Sequence, residues 1–122
     1  MMPDPTMAQM QAAMQLAAFV GIEAVGDVIY ARTYAATPEF TATPVGQHWR
    51  FAIQWPLRAS EAQRAAWNSL HPDAPLDVDL GETRMQFLGG VNALARWAVL
   101  VDDMVVECTK WRRATRQMDE GM

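Results

Sequence analysis

The stretch from residue 45 to residue 57 limits the fold more than any other. Its odd positions read Val45, Gln47, Trp49, Phe51, Ile53, Trp55 and Leu57, and its even ones Gly46, His48, Arg50, Ala52, Gln54 and Pro56. Apolar side chains recur at every second residue, broken only at Gln47. Successive side chains of a strand point to opposite faces, so this is the pattern of a half-buried β-strand. Two tryptophans, a phenylalanine and an isoleucine on one face make it a large contributor to any core. A strand needs partners, and the rest of the chain has to supply them.

Most of the remaining sequence reads as helix. Thr6, with Gln9 three residues later, has the form of a capping box. The proline-free run that follows, rich in Ala, Met, Gln and Leu, predicts a helix to about Tyr34. Such a helix of about 29 residues would be about 44 Å long. Residues 35–44 hold Pro38 and Pro44 and read as a loop, or as a short edge strand centred on Phe40. Ser60 and Gln63 mark a second capping box and a short helix, with Ala62, Ala66, Trp67 and Leu70 as its buried side. Leu76, Val78 and Leu80 alternate with Asp77 and Asp79, which makes 76–80 a second strand and a partner for 45–55. From Thr83 to about Arg116 the pattern predicts a last helix, kinked or split at Gly89-Gly90 and apolar on most sides beyond it.

These elements predict a predominantly helical α+β fold. Long N- and C-terminal helices pack with a small two- or three-stranded sheet and one short helix. The expected unit is a single domain over 1–122, with frayed ends at 1–5 and 117–122. Two overlong apolar helices need cover, and two-fold association is the commonest closed symmetry, so a homodimer is expected.

At 122 residues the chain is long enough to bury a core without disulfides or metals. It is 51% hydrophobic and 20% charged, a globular composition. A net charge of -4 disfavours nucleic acid and anionic membranes as partners. Cys108 is the only cysteine, which excludes a disulfide within the chain and suits a cytoplasmic protein. No apolar run reaches the length of a membrane span, so a soluble protein is expected.

Three groups of residues are candidates for chemistry. Glu23 with Asp27, and Asp103 with Glu107, are carboxylates four apart on the two long predicted helices. If those faces met, the four would converge as a hard oxygen site for Mg²⁺. Tyr30, Tyr34, Trp49 and Trp55, with Arg96, would line a pocket between the sheet and the long helices. Lys110, Arg112, Arg113 and Arg116 crowd around Trp111, favourable cations for a helix C-terminus and a possible contact for an acidic partner. Met7 and Met10 belong to a methionine-rich start that would suit an adaptable binding face. Cys108 lies on an apolar stripe, as a small core residue does, and two histidines and one cysteine are too few for a zinc site. The expectation is a non-catalytic protein–protein interaction module without a cofactor: a small oligomeric accessory protein, inhibitor or assembly factor, of the kind common in phage and mobile elements. The alternative is a small enzyme or ligand-binding domain that uses the paired carboxylates with Mg²⁺.

Overall fold

The computed structural model describes the backbone of residues 5–120 and the side chains of 6–116. Helix α1 (Pro5–Leu16) leads into four consecutive strands: β1 (Val20–Val25), β2 (Val28–Arg32), β3 (Phe40–Val45) and β4 (His48–Trp55). Helix α2 (Glu61–Leu70), strands β5 (Leu76–Asp79) and β6 (Glu82–Gly89), a short 3₁₀ turn (Val91–Ala93) and helix α3 (Leu94–Glu120) complete the chain. All six strands join one sheet in the order β1-β2-β3-β4-β6-β5, with every neighbouring pair antiparallel.

The predominantly helical fold with two or three strands is therefore wrong, and three local causes account for it. The first predicted helix stops at Leu16 and the chain continues as the β1–β2 hairpin. Ala18 takes a left-handed conformation (φ 63°), the Ala18 N–H donates to the Gln15 carbonyl, and the Phe19 N–H donates to that of Met14. That is a Schellman motif, which helices usually close with glycine. Here alanine does it, and the stop leaves no glycine signal. Second, the stretch at 45–57 is not one strand. Val45 pairs with His48, so Gly46 and Gln47 form a two-residue turn between β3 and β4. Third, residues 82–89 are strand β6 rather than helix, and Gly89-Gly90 ends that strand.

Residues directly opposite in register share a face, which assigns both sides of the sheet. Ile29, Ala42, Phe51 and Phe87 form one row, and Ala31, Phe40, Ile53, Met85 and Leu76 the next. All of these are buried. Against them pack Met7, Met10 and Met14 of α1, Trp67 of α2, and Trp97, Leu100, Val101, Met104 and Cys108 of α3, in one hydrophobic cluster. Trp97 lies among three rings, with centroids 5.5 Å from Phe40 and from Phe51 and 5.9 Å from Phe87. The fold is thus two layers, with helices on one face of the sheet. The opposite face, with Tyr30, Thr41, Ala52 and Gln86 in one row, carries no helix among the described residues. β5 does not neighbour β4 as expected, because β6 lies between them. The expected fraying at 1–5 and 117–122 falls on residues outside the described side chains.

Candidate functional site

Helix α2 was expected to bury Ala62, Ala66, Trp67 and Leu70, but only Trp67 is buried. Ala62 and Ala66 are exposed, and Leu70 is 76% exposed. Other bonds hold α2 in place. The capping box forms, with the Gln63 N–H donating to Ser60 Oγ at 3.1 Å and the Ser60 N–H to Gln63 Oε1 at 2.8 Å. Trp67 Nε1 donates to the Ala74 carbonyl at 2.8 Å, and the Leu76 N–H donates to Asn68 Oδ1 at 2.7 Å. The stem before the helix is tied down by buried Thr83 on β6. Its hydroxyl donates to the Leu57 carbonyl and accepts from the Ala59 N–H, both at 2.8 Å. With both ends anchored in this way, the apolar stripe at positions 62, 66 and 70 is spare.

That stripe forms one wall of a groove whose other wall is α3. A hollow of about 270 Å³ lies between Ala62, Ala66 and Leu70 on one side and Trp111 and Glu107 on the other. A second hollow of about 470 Å³ adjoins it, sharing Gln63 and Trp111, and is rimmed by Leu57, Arg58, Arg112 and Arg116. The two make a continuous trough with half-buried Trp111 in its middle. Arg58, Arg112 and Arg116 are exposed, line the same hollow and have no hydrogen-bond or ion-pair partner among the described residues. At the other end His71 stacks on Trp67, with ring centroids 3.8 Å apart, and its Nε2 lies 3.8 Å from Asp103 Oδ2. Glu107 pairs there with Lys110 at 3.5 Å. The trough is therefore basic at one end and apolar in the middle, and its other end holds the paired charges of Glu107 and Lys110 beside His71.

Two further arginines, Arg84 and Arg96, are paired with aspartates within the fold. Arg84 grips Asp77 through two hydrogen bonds, at 2.9 and 2.6 Å. Arg96 holds Asp73 in the same manner, at 3.1 and 3.2 Å, and this contact keeps the Asp73 carboxyl below its usual pKa. Burial pushes the Cys108 thiol up to about 12, so at neutral pH it is no thiolate nucleophile.

The groups proposed from sequence are mostly scattered. Glu23 pairs with Tyr30 on the uncovered sheet face, and Asp27 sits in the β1–β2 turn. Asp103 and Glu107 lie on α3 in the helical layer, so the four carboxylates do not meet. Among the described residues no three His, Cys, Asp or Glu side chains gather where they could hold a metal ion. The aromatic pocket is not assembled either. Trp49 and Trp55 are core residues, Tyr34 is exposed in the β2–β3 loop, and Arg96 is engaged by Asp73. Met7 and Met10 are buried under α1 and present no surface. Trp111 and Arg112 do line the trough, whereas Arg113 is exposed and lines neither hollow. Sequence reasoning missed Arg58 and misassigned the α2 stripe. Arg58 has no local signal, because only the Thr83 anchor brings it to α3. No family model matches the chain, and neither curated proteins nor solved structures give a match.

Proposed function

We propose that this chain is a non-catalytic protein–protein interaction module, an accessory, inhibitor or assembly factor, that docks a segment of another protein in the trough between α2 and α3. The observation that carries the reading is the uncovered α2 stripe, Ala62, Ala66 and Leu70, facing Trp111 across a preformed hollow. A 10-residue helix held by its caps and by Trp67 has no need of that stripe for its own stability. Apolar anchors with an aromatic neighbour and a polar rim are the makings of an interaction hot spot. No resident cofactor enters this reading, and its setting is the cytoplasm.

Self-association belongs to the same reading but to another surface. Edge strand β5 has four residues and carries Asp77 and Asp79, which guard it against pairing. Edge strand β1 has six residues, with Val20 and Val25 exposed at 40% and 56%, and only Glu23 as a charge. A homodimer joined along β1 extends the sheet and leaves the trough free.

A photo-crosslinking residue at position 66 or 70, introduced in the cell that makes the protein, tests the docking surface. Discrete adducts from these positions, and none from positions 52 and 86 on the open sheet face, are expected. Adducts confined to the sheet face, or none at all, would overturn the reading.

A further inference from the structure

Resting on that reading, we infer that the docked segment is acidic at one end and apolar along the rest, with carboxylates over Arg58, Arg112 and Arg116 and large aliphatic or aromatic side chains against Ala66 and Leu70. The first ground is the clustering of three unpaired arginines in one hollow. Arg84 and Arg96 each hold an aspartate, Arg32 and Arg64 each donate to a backbone carbonyl, and the other two, Arg50 and Arg113, are exposed singly and line neither hollow. The chain has 14 acidic residues against 10 basic ones, so carboxylates are in surplus. Yet three guanidinium groups rim one hollow with no carboxylate among its lining residues. Like charges so placed raise the free energy of the empty site, and an incoming carboxylate relieves it with charge-assisted, bidentate hydrogen bonds.

The second ground is polarity along the trough. At the His71 end the lining includes Glu107, with Asp103 beside His71. Glu107 is already paired with Lys110 there, so that end offers guest carboxylates no free cation, whereas the Arg116 end does, which fixes the direction in which a segment lies. The third ground is the apolar middle. A free phosphate or a nucleic-acid backbone would satisfy the arginines but leave Leu70 and Trp111 uncovered, and a polyanion would meet the net charge of -4. An acidic, apolar-faced peptide uses the whole trough.

The test is selection of a displayed library of random 16-residue peptides on the full chain, followed by fluorescence anisotropy with the enriched peptides. Enrichment of Asp and Glu toward one end and of Leu, Phe or Met toward the other is expected. Leu70→Asp, and separately Arg112→Glu with Arg116→Glu, should each weaken binding at least tenfold. All three positions are exposed, and circular dichroism confirms that the variants fold. Repeating the selection on the Arg112→Glu, Arg116→Glu variant should reverse the bias toward Lys and Arg. Peptides that lose binding with Leu70→Asp but carry no acidic bias overturn this inference and leave the docking surface standing. Enriched peptides indifferent to Leu70→Asp, or no enrichment, overturn both. Displacement of the peptides by inorganic phosphate or by transfer RNA would assign the arginines to phosphate instead. A halving of the mass in light scattering on Leu70→Asp would make the trough a contact between two copies of the chain, which also overturns the inference.

Discussion

Trp97 sits where α3 meets the sheet, and among the described residues it is at once the largest fully buried side chain and the one with an unsatisfied buried polar atom. Its Nε1 is buried without a hydrogen-bond partner among the described residues, surrounded by the rings of Phe40, Phe51 and Phe87. A buried orphan donor costs about 1–3 kcal/mol, partly offset here by aromatic contact. Trp97→Phe keeps an aromatic ring and removes the orphan, so its net cost should lie near zero. Trp97→Ala leaves a cavity and should cost about 3–5 kcal/mol. Urea denaturation of the two variants separates these outcomes, and equal losses would contradict the account. Cys108 gives a second prediction at this scale. With 1% exposure and a thiol pKa pushed up to about 12 by burial, it should resist a thiol reagent at pH 8 in the native protein and react at once in denaturant. Rapid labelling without denaturant would mean that α3 lifts from the sheet.

Among the elements, the turns decide the architecture, and they also explain what the sequence concealed. Hairpin β1–β2 turns at Gly26 and Asp27, with Gly26 at φ 63°, the pattern of a type II′ turn that needs a positive φ only at its first central residue. Hairpin β5–β6 turns at Leu80 and Gly81, with φ of 52° and 80°, the type I′ pattern that prefers Asn-Gly. Leucine there, 94% exposed, and alanine at position 18 both hold a conformation that costs an ordinary L-residue about 1–2 kcal/mol. Leu80→Asn and Ala18→Gly should each stabilise the fold by about 1 kcal/mol, a rise in Tm of roughly 3–5 °C for a chain of this size by calorimetry. A fall in Tm for both would deny the left-handed geometry. Ser60 and Gln63 announce α2 correctly, because a capping box is a local device. The β3–β4 turn hides inside the alternating stretch although it reverses the phase, with Phe40 and Ala42 inward on β3 but Phe51 and Ile53 inward on β4, because Val45, exposed beside His48, happens to continue the odd apolar series. Gln47, the one break in the alternation, is the turn itself. Strand β6 carries its own period of two, with Thr83, Met85 and Phe87 inward and Arg84 and Gln86 outward. Its Glu, Arg, Met, Gln and Leu are all helix formers, so local propensity opposes the pairing that wins. At the trough, the cluster around Trp111 is legible in sequence. The exposure of the α2 stripe is not, since an amphipathic pattern says that a face is apolar but not what covers it.

For the whole molecule, the proposed self-association and docking turn on the β1 edge and on the arginines of the trough. Among the described residues no helix is long and apolar enough to cross a membrane. The overlong helices that first suggested a homodimer are reduced to one, since α1 has 12 residues and α3 has 27. The proposed self-association rests instead on the edge of β1. Static light scattering over a dilution series should give a dimer for the native chain and a monomer for Val20→Glu with Val25→Glu, which sets like charges beside Glu23 across the two-fold axis. A native monomer at all concentrations would remove the dimer and leave the trough untouched. The connectivity of the sheet carries one more consequence, for the way the chain reaches this state. Four of the five strand pairings join consecutive strands, and only β4 with β6 is made across the α2 segment. Local hairpins close in microseconds, whereas a pairing across an intervening element must first meet the entropy of a larger loop. Folding should therefore be limited by the zipping of Trp49–Trp55 against Thr83–Gly89. Thr83→Ala, which loosens the stem at that seam, should slow refolding in stopped-flow experiments, while a change in the β1–β2 turn should act mainly on the rate of unfolding.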